Sequence, residues 1–156
     1  MKRVIKFRGK TLYDFIEKVS GEYEIPQGTF VYGSLVFDCN KNPLIDIQGY
    51  NNGIGFKSQY LVDANTVGQF TGLHDKHDVK IFEGDIVRVY DFSSVYASEY
   101  KGVVKMVHGT WIVEYDSTFG TSRPKLFFDD FADRKTEVIG NIYDNPELAK
   151  GGKYGD

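Results

Sequence analysis

Residues 81–90, IFEGDIVRVY, decide the fold. An apolar run ends at Phe82, the turn-forming sequence EGD follows, and the chain then alternates apolar and polar side chains as far as Tyr90. Alternation with a period of two is the pattern of a half-buried β-strand, and a glycine between two such runs favours a tight reversal of the chain. We therefore predict two strands joined by a short turn.

Runs of the same kind recur along the whole chain. They are rich in β-branched and aromatic residues, are separated by polar turns, and cover residues 3–8, 29–37, 44–47, 67–72, 102–107, 111–115, 122–127 and 138–143. The 17 glycines suit turns and bulges, and the aromatic content of 15% favours strands. We predict a mainly β protein with an antiparallel β-barrel or meander architecture and one or two short helices.

The C-terminal half shows a further pattern. The phrase EGDIVRV, followed by the glycine-led runs GVV and GTWIV, resembles the opening strands of an SH3-like barrel. We therefore expect an N-terminal β lobe over residues 1–83, packed against a C-terminal SH3-like lobe over residues 84–149 in one compact unit. Residues 150–156 have no apolar pattern and are expected to form a flexible tail.

Two segments depart from the strand pattern. In residues 11–19, TLYDFIEKV, the apolar side chains lie at helical spacing behind a Thr–Asp pair typical of a capping box. We predict a short helix there, although residues 11–26 would also suit an inserted loop. Residues 129–133, DDFAD, would suit one helical turn in which the acidic side chains serve as caps.

Charge and cysteine content limit the setting in which the protein works. A net charge of −3 provides no global positive field to attract nucleic acid or an anionic membrane. Cys39 is the single cysteine and cannot form an internal disulfide, and charges interrupt the apolar stretch that an N-terminal signal peptide requires. No run of 18 apolar residues is present to span a membrane. We predict a cytoplasmic protein with no membrane partner.

Motifs that carry chemistry are missing from the sequence. There is no GKS or GKT phosphate loop, no Gly-x-Ser-x-Gly nucleophile elbow, and no CxxC or HExxH metal motif. His74 and His77 could approach each other around a metal ion, but a solvated polar turn explains residues 74–78 more simply. We predict no catalytic residue, no cofactor and no metal. A hydrolase site assembled from distant residues, such as His108 with Asp116 or Cys39, remains open.

The N-terminal strand has a basic face. Lys2, Lys6, Arg8 and Lys10 alternate with apolar residues and would lie on one side of an edge strand, near tyrosines 32 and 50 of neighbouring strands. Cations beside aromatic rings suit single-stranded nucleic acid, which binds through phosphate contacts and base stacking. The same cations would also protect an edge strand against aggregation, which is a common use of lysine and arginine there.

Five phrases in order along the chain resemble the YopX family. They are IKFRGK at 5–10, VYGSL at 31–35, TVGQFTGL at 66–73, IFEGDIV at 81–87 and EVIGNIYDNPEL at 137–148. Two features differ from the family pattern, because the segment over residues 11–26 is longer and His77-Asp78 replaces the usual Asn-Gly turn. The glycines of these phrases read as folding signals at strand ends and bulges.

The resemblance implies a β protein of a phage or prophage in the cytoplasm of a bacterial host. It implies no established activity, so no catalytic residue is transferred to this chain. The leading hypothesis is a noncatalytic accessory protein that binds a phage or host protein or associates with itself. The alternative is a protein that binds single-stranded nucleic acid through its N-terminal basic strand.

Overall fold

The computed structural model describes residues 5–17, 23–51, 54–91, 98–114, 125–126 and 136–149. The strands in chain order are β1 (Phe7–Lys10), β2 (Phe15–Glu17), β3 (Tyr23–Ile25), β4 (Phe30–Phe37), β5 (Pro43–Asn51), β6 (Ile54–Leu61), β7 (Gly68–His74), β8 (Lys80–Phe82), β9 (Asp85–Asp91), β10 (Ser98–Val107), β11 (Thr110–Glu114), β12 (Lys125–Leu126) and β13 (Thr136–Asn141). Two short 3₁₀ helices cover Ala64–Thr66 and Pro146–Ala149. Mainly antiparallel β structure is confirmed.

The chain divides into two compact units, Met1–Phe70 and Thr71–Asp156. In the first unit the strand order is β6-β5-β4-β1-β7; strand β7 crosses the division, and its next neighbour β8 belongs to the second unit. The second unit contains a five-stranded sheet with the order β12-β11-β10-β9-β13. Within the described ranges these sheets are open and no closed barrel is found. The SH3-like likeness stays a prediction.

The core of the first unit lies on one face of its sheet. Val31, Ile45, Tyr60 and Val62 are buried there, and β2 contributes Phe15, whose ring meets that of Tyr60 edge to face at 5.1 Å. Along β4 the side chains alternate between this core and the opposite face, as the sequence pattern predicts. The opposite face carries the half-buried Phe30 and the exposed Tyr32 and Ser34 of β4.

The stretch at 81–90 forms two strands around a glycine turn, as predicted. Gly84 has a φ of +82°, and a Cβ at this position would lie 3.1 Å from the Tyr143 ring. Its N–H donates to the Val104 carbonyl and its carbonyl accepts from Ile142 N–H. The turn passes the chain from one sheet to the other, because β8 neighbours β7 whereas β9 pairs with β10 and β13.

The helix predicted over residues 11–19 is wrong. Residues 15–17 form β2, which pairs antiparallel with β3, and Thr11 forms a bridge to Val62. Asp14 accepts a hydrogen bond from Gln27 N–H and so ties the two ends of this hairpin instead of capping a helix. The helical turn predicted at 129–133 and the tail at 150–156 lie outside the described residues.

The N-terminal strand is not an edge strand, contrary to the prediction. β1 lies between β4 and β7, with Arg8 opposite Tyr32 on one side and opposite Gly68 on the other. Protection of a sheet edge therefore does not explain the cations of β1.

Candidate binding face

Strands β1 and β4 place cations and aromatic rings on one face of the first sheet. Arg8 lies opposite Tyr32, and Lys10 lies opposite Phe30. Side chains that are directly opposite in an antiparallel pair project from the same face. We call the set Lys6, Arg8, Lys10, Phe30 and Tyr32 the cationic aromatic face.

The Phe30 ring contacts two neighbouring cations. The Arg8 guanidinium carbon lies 4.6 Å from the centre of the Phe30 ring, and the Lys10 ammonium nitrogen lies 5.2 Å from it. Both distances fall within the range of cation–π attraction. The Tyr32 ring follows at a centroid distance of 6.5 Å from that of Phe30. The Arg8 cation of β1 and the Phe30 and Tyr32 rings of β4 are therefore neighbours on this face.

The exposed and buried members of the face have different roles. Arg8 is only 5% exposed, whereas the Tyr32 side chain is 48% exposed. Lys6 is also exposed, and Lys10 and Phe30 are half-buried. Arg8 thus supports the Phe30 ring, while Tyr32 and Lys6 are exposed to solvent and Phe30 is partly exposed.

The face continues onto β5 and β6. Ser34, two residues after Tyr32, lies opposite Asp46, so the Asp46 carboxylate belongs to the same face. Its Oδ2 atom accepts from Gln48 Nε2 at 3.0 Å and lies 3.6 Å from the Lys57 ammonium nitrogen. Lys57 is exposed, and its charge is paired with the buried Asp46 carboxylate.

Of the four cations predicted for a binding site, Arg8 and Lys10 both contact the Phe30 ring, and Lys6 lies exposed two residues before Arg8. Lys2 and the side chain of Tyr50 lie outside what the structure describes. Phe30 was missed by sequence reasoning, although it stands two residues before Tyr32 in a strand, and this spacing places the two rings on one face. Asp46 was also missed, because its position depends on the pairing of β4 with β5.

The ligand-rich sequence at 74–78 is a hydrogen-bonded turn in the second unit. The buried Asp75 carboxylate accepts from the N–H groups of His77 and Val79 through Oδ1, and from that of Val138 through Oδ2. Burial by itself would raise the pKa of Asp75, but the hydrogen bonds from Val138, Val79 and His77 outweigh it and lower the pKa below its ordinary value. This carboxylate closes the outer edge of β13.

A charged cluster surrounds Glu137 on β13. The carboxylate lies 2.7 Å from Lys76 Nζ, 3.7 Å from Arg88 Nη1 and 3.8 Å from His77 Nε2. The hydrogen bond from Lys76 is the largest cause of the lowered pKa of Glu137. Lys76 also lies over the Tyr90 ring, at 4.9 Å from its centre.

Within the described ranges, no group of three or more His, Cys, Asp or Glu side chains is arranged to hold a metal ion.

The residues considered for a hydrolase occupy exposed turns. Cys39 is exposed in the turn between β4 and β5, where the Asp38 carboxylate accepts from the N–H groups of Asn40 and Asn42. His108 is exposed in the turn between β10 and β11 and has a φ of +50°. Asp116 lies outside the described residues.

No helix in the described part of the chain is long and apolar enough to cross a membrane.

Comparisons with known proteins agree with this fold. The family model described as YopX protein matches residues 33–150. The crystal structure of protein EF1440 from Enterococcus faecalis is similar, with a TM-score of 0.54, 21% sequence identity, and coverage of 96% of this chain and 100% of that chain. At this identity the likeness concerns the fold alone. No curated protein matches the chain. Because the family model covers most of the sequence, the chain belongs to the YopX protein family.

Proposed function

We propose that this protein is a noncatalytic binding protein whose cationic aromatic face engages an acidic surface of another protein. The observation that carries the proposal is the support of Phe30 by Arg8 and Lys10 beside the exposed ring of Tyr32. The proposed setting is the cytoplasm of a bacterial host, where the protein serves a phage or prophage as an accessory factor.

The aromatic part of the face has the anatomy of a binding hot spot. Tyrosine and arginine are enriched at the centres of protein interfaces, where rigid anchors lose little conformational entropy on binding. Because Arg8 and Lys10 both contact the Phe30 ring and restrain it, the adjoining Tyr32 ring would meet a partner on a preformed surface.

The charges of the face select an acidic partner. Lys10 is half-buried beside the Phe30 ring, and Lys6 is exposed two residues before Arg8 in the same strand segment. Lys57, whose side chain is 57% exposed, is paired with Asp46, so the excess positive charge of the face comes from Lys6, Arg8 and Lys10. Complementary charges at the rim increase the association rate and disfavour partners of like charge. The local surface is therefore positive although the whole chain carries a net charge of −3.

Single-stranded nucleic acid is the second candidate ligand. Tyr32 offers a stacking surface, and Lys6 and Lys10 offer phosphate contacts. The burial of Arg8 removes one of the predicted phosphate contacts, and this favours the protein partner.

Capture from host lysate by immobilised protein tests the proposal. Wild-type protein is compared with Tyr32→Ala and with Tyr13→Ala, which removes a tyrosine that is 62% exposed elsewhere in the same unit. We expect one acidic protein to be retained by wild type and Tyr13→Ala and lost by Tyr32→Ala. Retention by all three proteins would contradict the proposal.

A labelled single-stranded oligonucleotide, titrated at low and at high salt, tests the second candidate. Binding that weakens steeply as salt rises, and that Tyr32→Ala removes, would favour nucleic acid over a protein partner.

A further inference from the structure

We propose that the outer edge of β6 binds an extended acidic segment of the partner protein as an added antiparallel strand. This inference rests on the proposed function, because the partner is the same acidic protein, and Lys57 of β6 lies on the same side of the sheet as the cationic aromatic face. Addition of a strand to an exposed sheet edge is a recurrent mode of peptide recognition, in which backbone hydrogen bonds provide affinity and alternate side chains provide specificity.

The direction of the backbone groups of β6 follows from its hydrogen bonds. Val62 N–H donates to the Pro43 carbonyl, towards β5, whereas the Leu61 carbonyl accepts from Leu12 N–H on the opposite side. The β5–β6 register is regular from Leu44↔Leu61 to Asn51↔Ile54. Because successive residues of a strand alternate in direction, the N–H and C=O groups of Gly55, Lys57 and Gln59 point away from β5.

This edge already accepts a strand-like segment at one end. Thr11 and Val62 form an antiparallel bridge flanked by two hydrogen bonds, Leu12 N–H to Leu61 O and Asp63 N–H to Lys10 O. The bridge shows that the outer side of this chain segment has the geometry for antiparallel addition. In the part of the chain that the structure describes, no strand pairs with the outer edge between Gly55 and Gln59.

The edge of the other sheet at β13 is closed, in contrast to β6. Val138 N–H donates to the Asp75 carboxylate and the Thr136 carbonyl accepts from Lys76 N–H, so the 74–78 turn satisfies the outward backbone groups. Closure of this kind prevents unwanted strand addition. β6 has only the charge of Lys57 along its open part.

A second copy of the chain fits the β6 edge poorly. The antiparallel register that uses Gly55, Lys57 and Gln59 in both copies places the two Lys57 side chains directly opposite each other, and like charges in this position are destabilising. A shift by two residues in one direction brings Gly55 opposite Leu61, whose carbonyl already accepts from Leu12 N–H. A shift in the other direction leaves only residues 54–58 of the two β6 strands paired. A different protein with an acidic side chain opposite Lys57 avoids both conflicts.

Substitution of Gln59 by proline tests the outward N–H group of this residue separately from its side chain. Proline is tolerated in an edge strand where its missing N–H faces solvent, so Gln59→Pro removes a donor from the open edge and leaves the hydrogen bonds to β5 in place. Gln59→Ala removes the side chain but keeps the N–H group and is the matched control. Circular dichroism and thermal unfolding of both variants verify that they fold.

The probe is a fluorescein-labelled peptide that alternates glutamate with valine, and binding is measured by fluorescence anisotropy. We expect wild type and Gln59→Ala to bind equally and folded Gln59→Pro to bind about tenfold more weakly. Lys57→Glu should reverse the preference towards a peptide that alternates lysine with valine. Equal binding by Gln59→Pro, or no binding by wild type, would overturn the inference.

Two further outcomes separate this inference from the proposed function. Loss of the captured protein in Tyr32→Ala with full retention in Gln59→Pro would leave the proposed function intact and overturn strand addition. A wild-type dimer seen by light scattering and abolished by Gln59→Pro would make the occupant a second copy, and so would overturn the assignment to a different protein.

Discussion

The Arg8 guanidinium lies 4.6 Å from the centre of the Phe30 ring and is 5% exposed. A buried cation beside an aromatic ring restrains the ring and contributes its own apolar stem to the packing. The contact joins β1 to β4 on the face opposite the core.

Loss of this contact should weaken the fold. For Arg8→Ala we expect the free energy of unfolding to fall by about 1–2 kcal/mol, because both the cation–π attraction and the packing of the stem are lost. Urea denaturation followed by circular dichroism measures the change. Lys6→Ala, which removes an exposed cation of the same strand segment, should change stability by less than about 0.5 kcal/mol. Equal effects would show that Arg8 does not support the face.

The turn at Gly84 depends on a positive φ and on close packing. Gly84→Ala should destabilise the protein by about 1–3 kcal/mol, because alanine is strained at a φ of +82° and its Cβ would press on the Tyr143 ring. Gly72→Ala is the matched control, since Gly72 has a φ of +92° and a methyl group there would meet nothing within 4 Å. The difference between the two unfolding free energies measures the contribution of the Tyr143 contact. A difference near zero would contradict it.

Asp75 should make the stability of the second unit sensitive to acid. Hydrogen bonds hold its folded pKa below the unfolded value of about 3.9, so the stabilisation is fully present above that pH. It is lost as pH falls through the lower, folded pKa. We expect the unfolding free energy to decrease over this range in wild type and to decrease less steeply in Asp75→Asn.

Asp75→Asn should also cost stability at neutral pH. The amide nitrogen cannot accept the hydrogen bond from Val138 N–H, and a lost hydrogen bond to a charged group costs about 1.5–3 kcal/mol. Asp78→Asn in the same turn is the control, because Asp78 is exposed and asparagine tolerates its φ of +64°. If both variants lost the same stability, the role assigned to Asp75 would be wrong.

The strands and the main turn could be predicted because they depend on local patterns. Residues 81–90 carry the end of an apolar run before Gly84 and alternation after it, and the structure places β8, a turn and β9 there. The alternation of Lys6, Arg8 and Lys10 likewise predicts that their side chains share one face. The alternation of side chains is a property of a single strand and does not depend on which strands it pairs with.

The features that sequence patterns did not predict depend on how the strands pair and pack in three dimensions. The spacing of apolar residues in 11–19 suits a helix, but pairing of β2 with β3 and burial of Phe15 against Tyr60 override that local preference. β1 lies inside the sheet because β7, which is distant in the sequence, pairs with its second edge. The burial of Arg8 follows from this arrangement and has no local signal.

The most direct test of the cationic aromatic face is the dissociation constant of the captured partner for wild type, Tyr32→Ala and Tyr13→Ala, measured by isothermal titration calorimetry. A hot-spot tyrosine contributes at least about 2 kcal/mol, so we predict binding about 30-fold weaker for Tyr32→Ala and unchanged for Tyr13→Ala. Equal dissociation constants for wild type and folded Tyr32→Ala would contradict the assignment of this face as the binding surface.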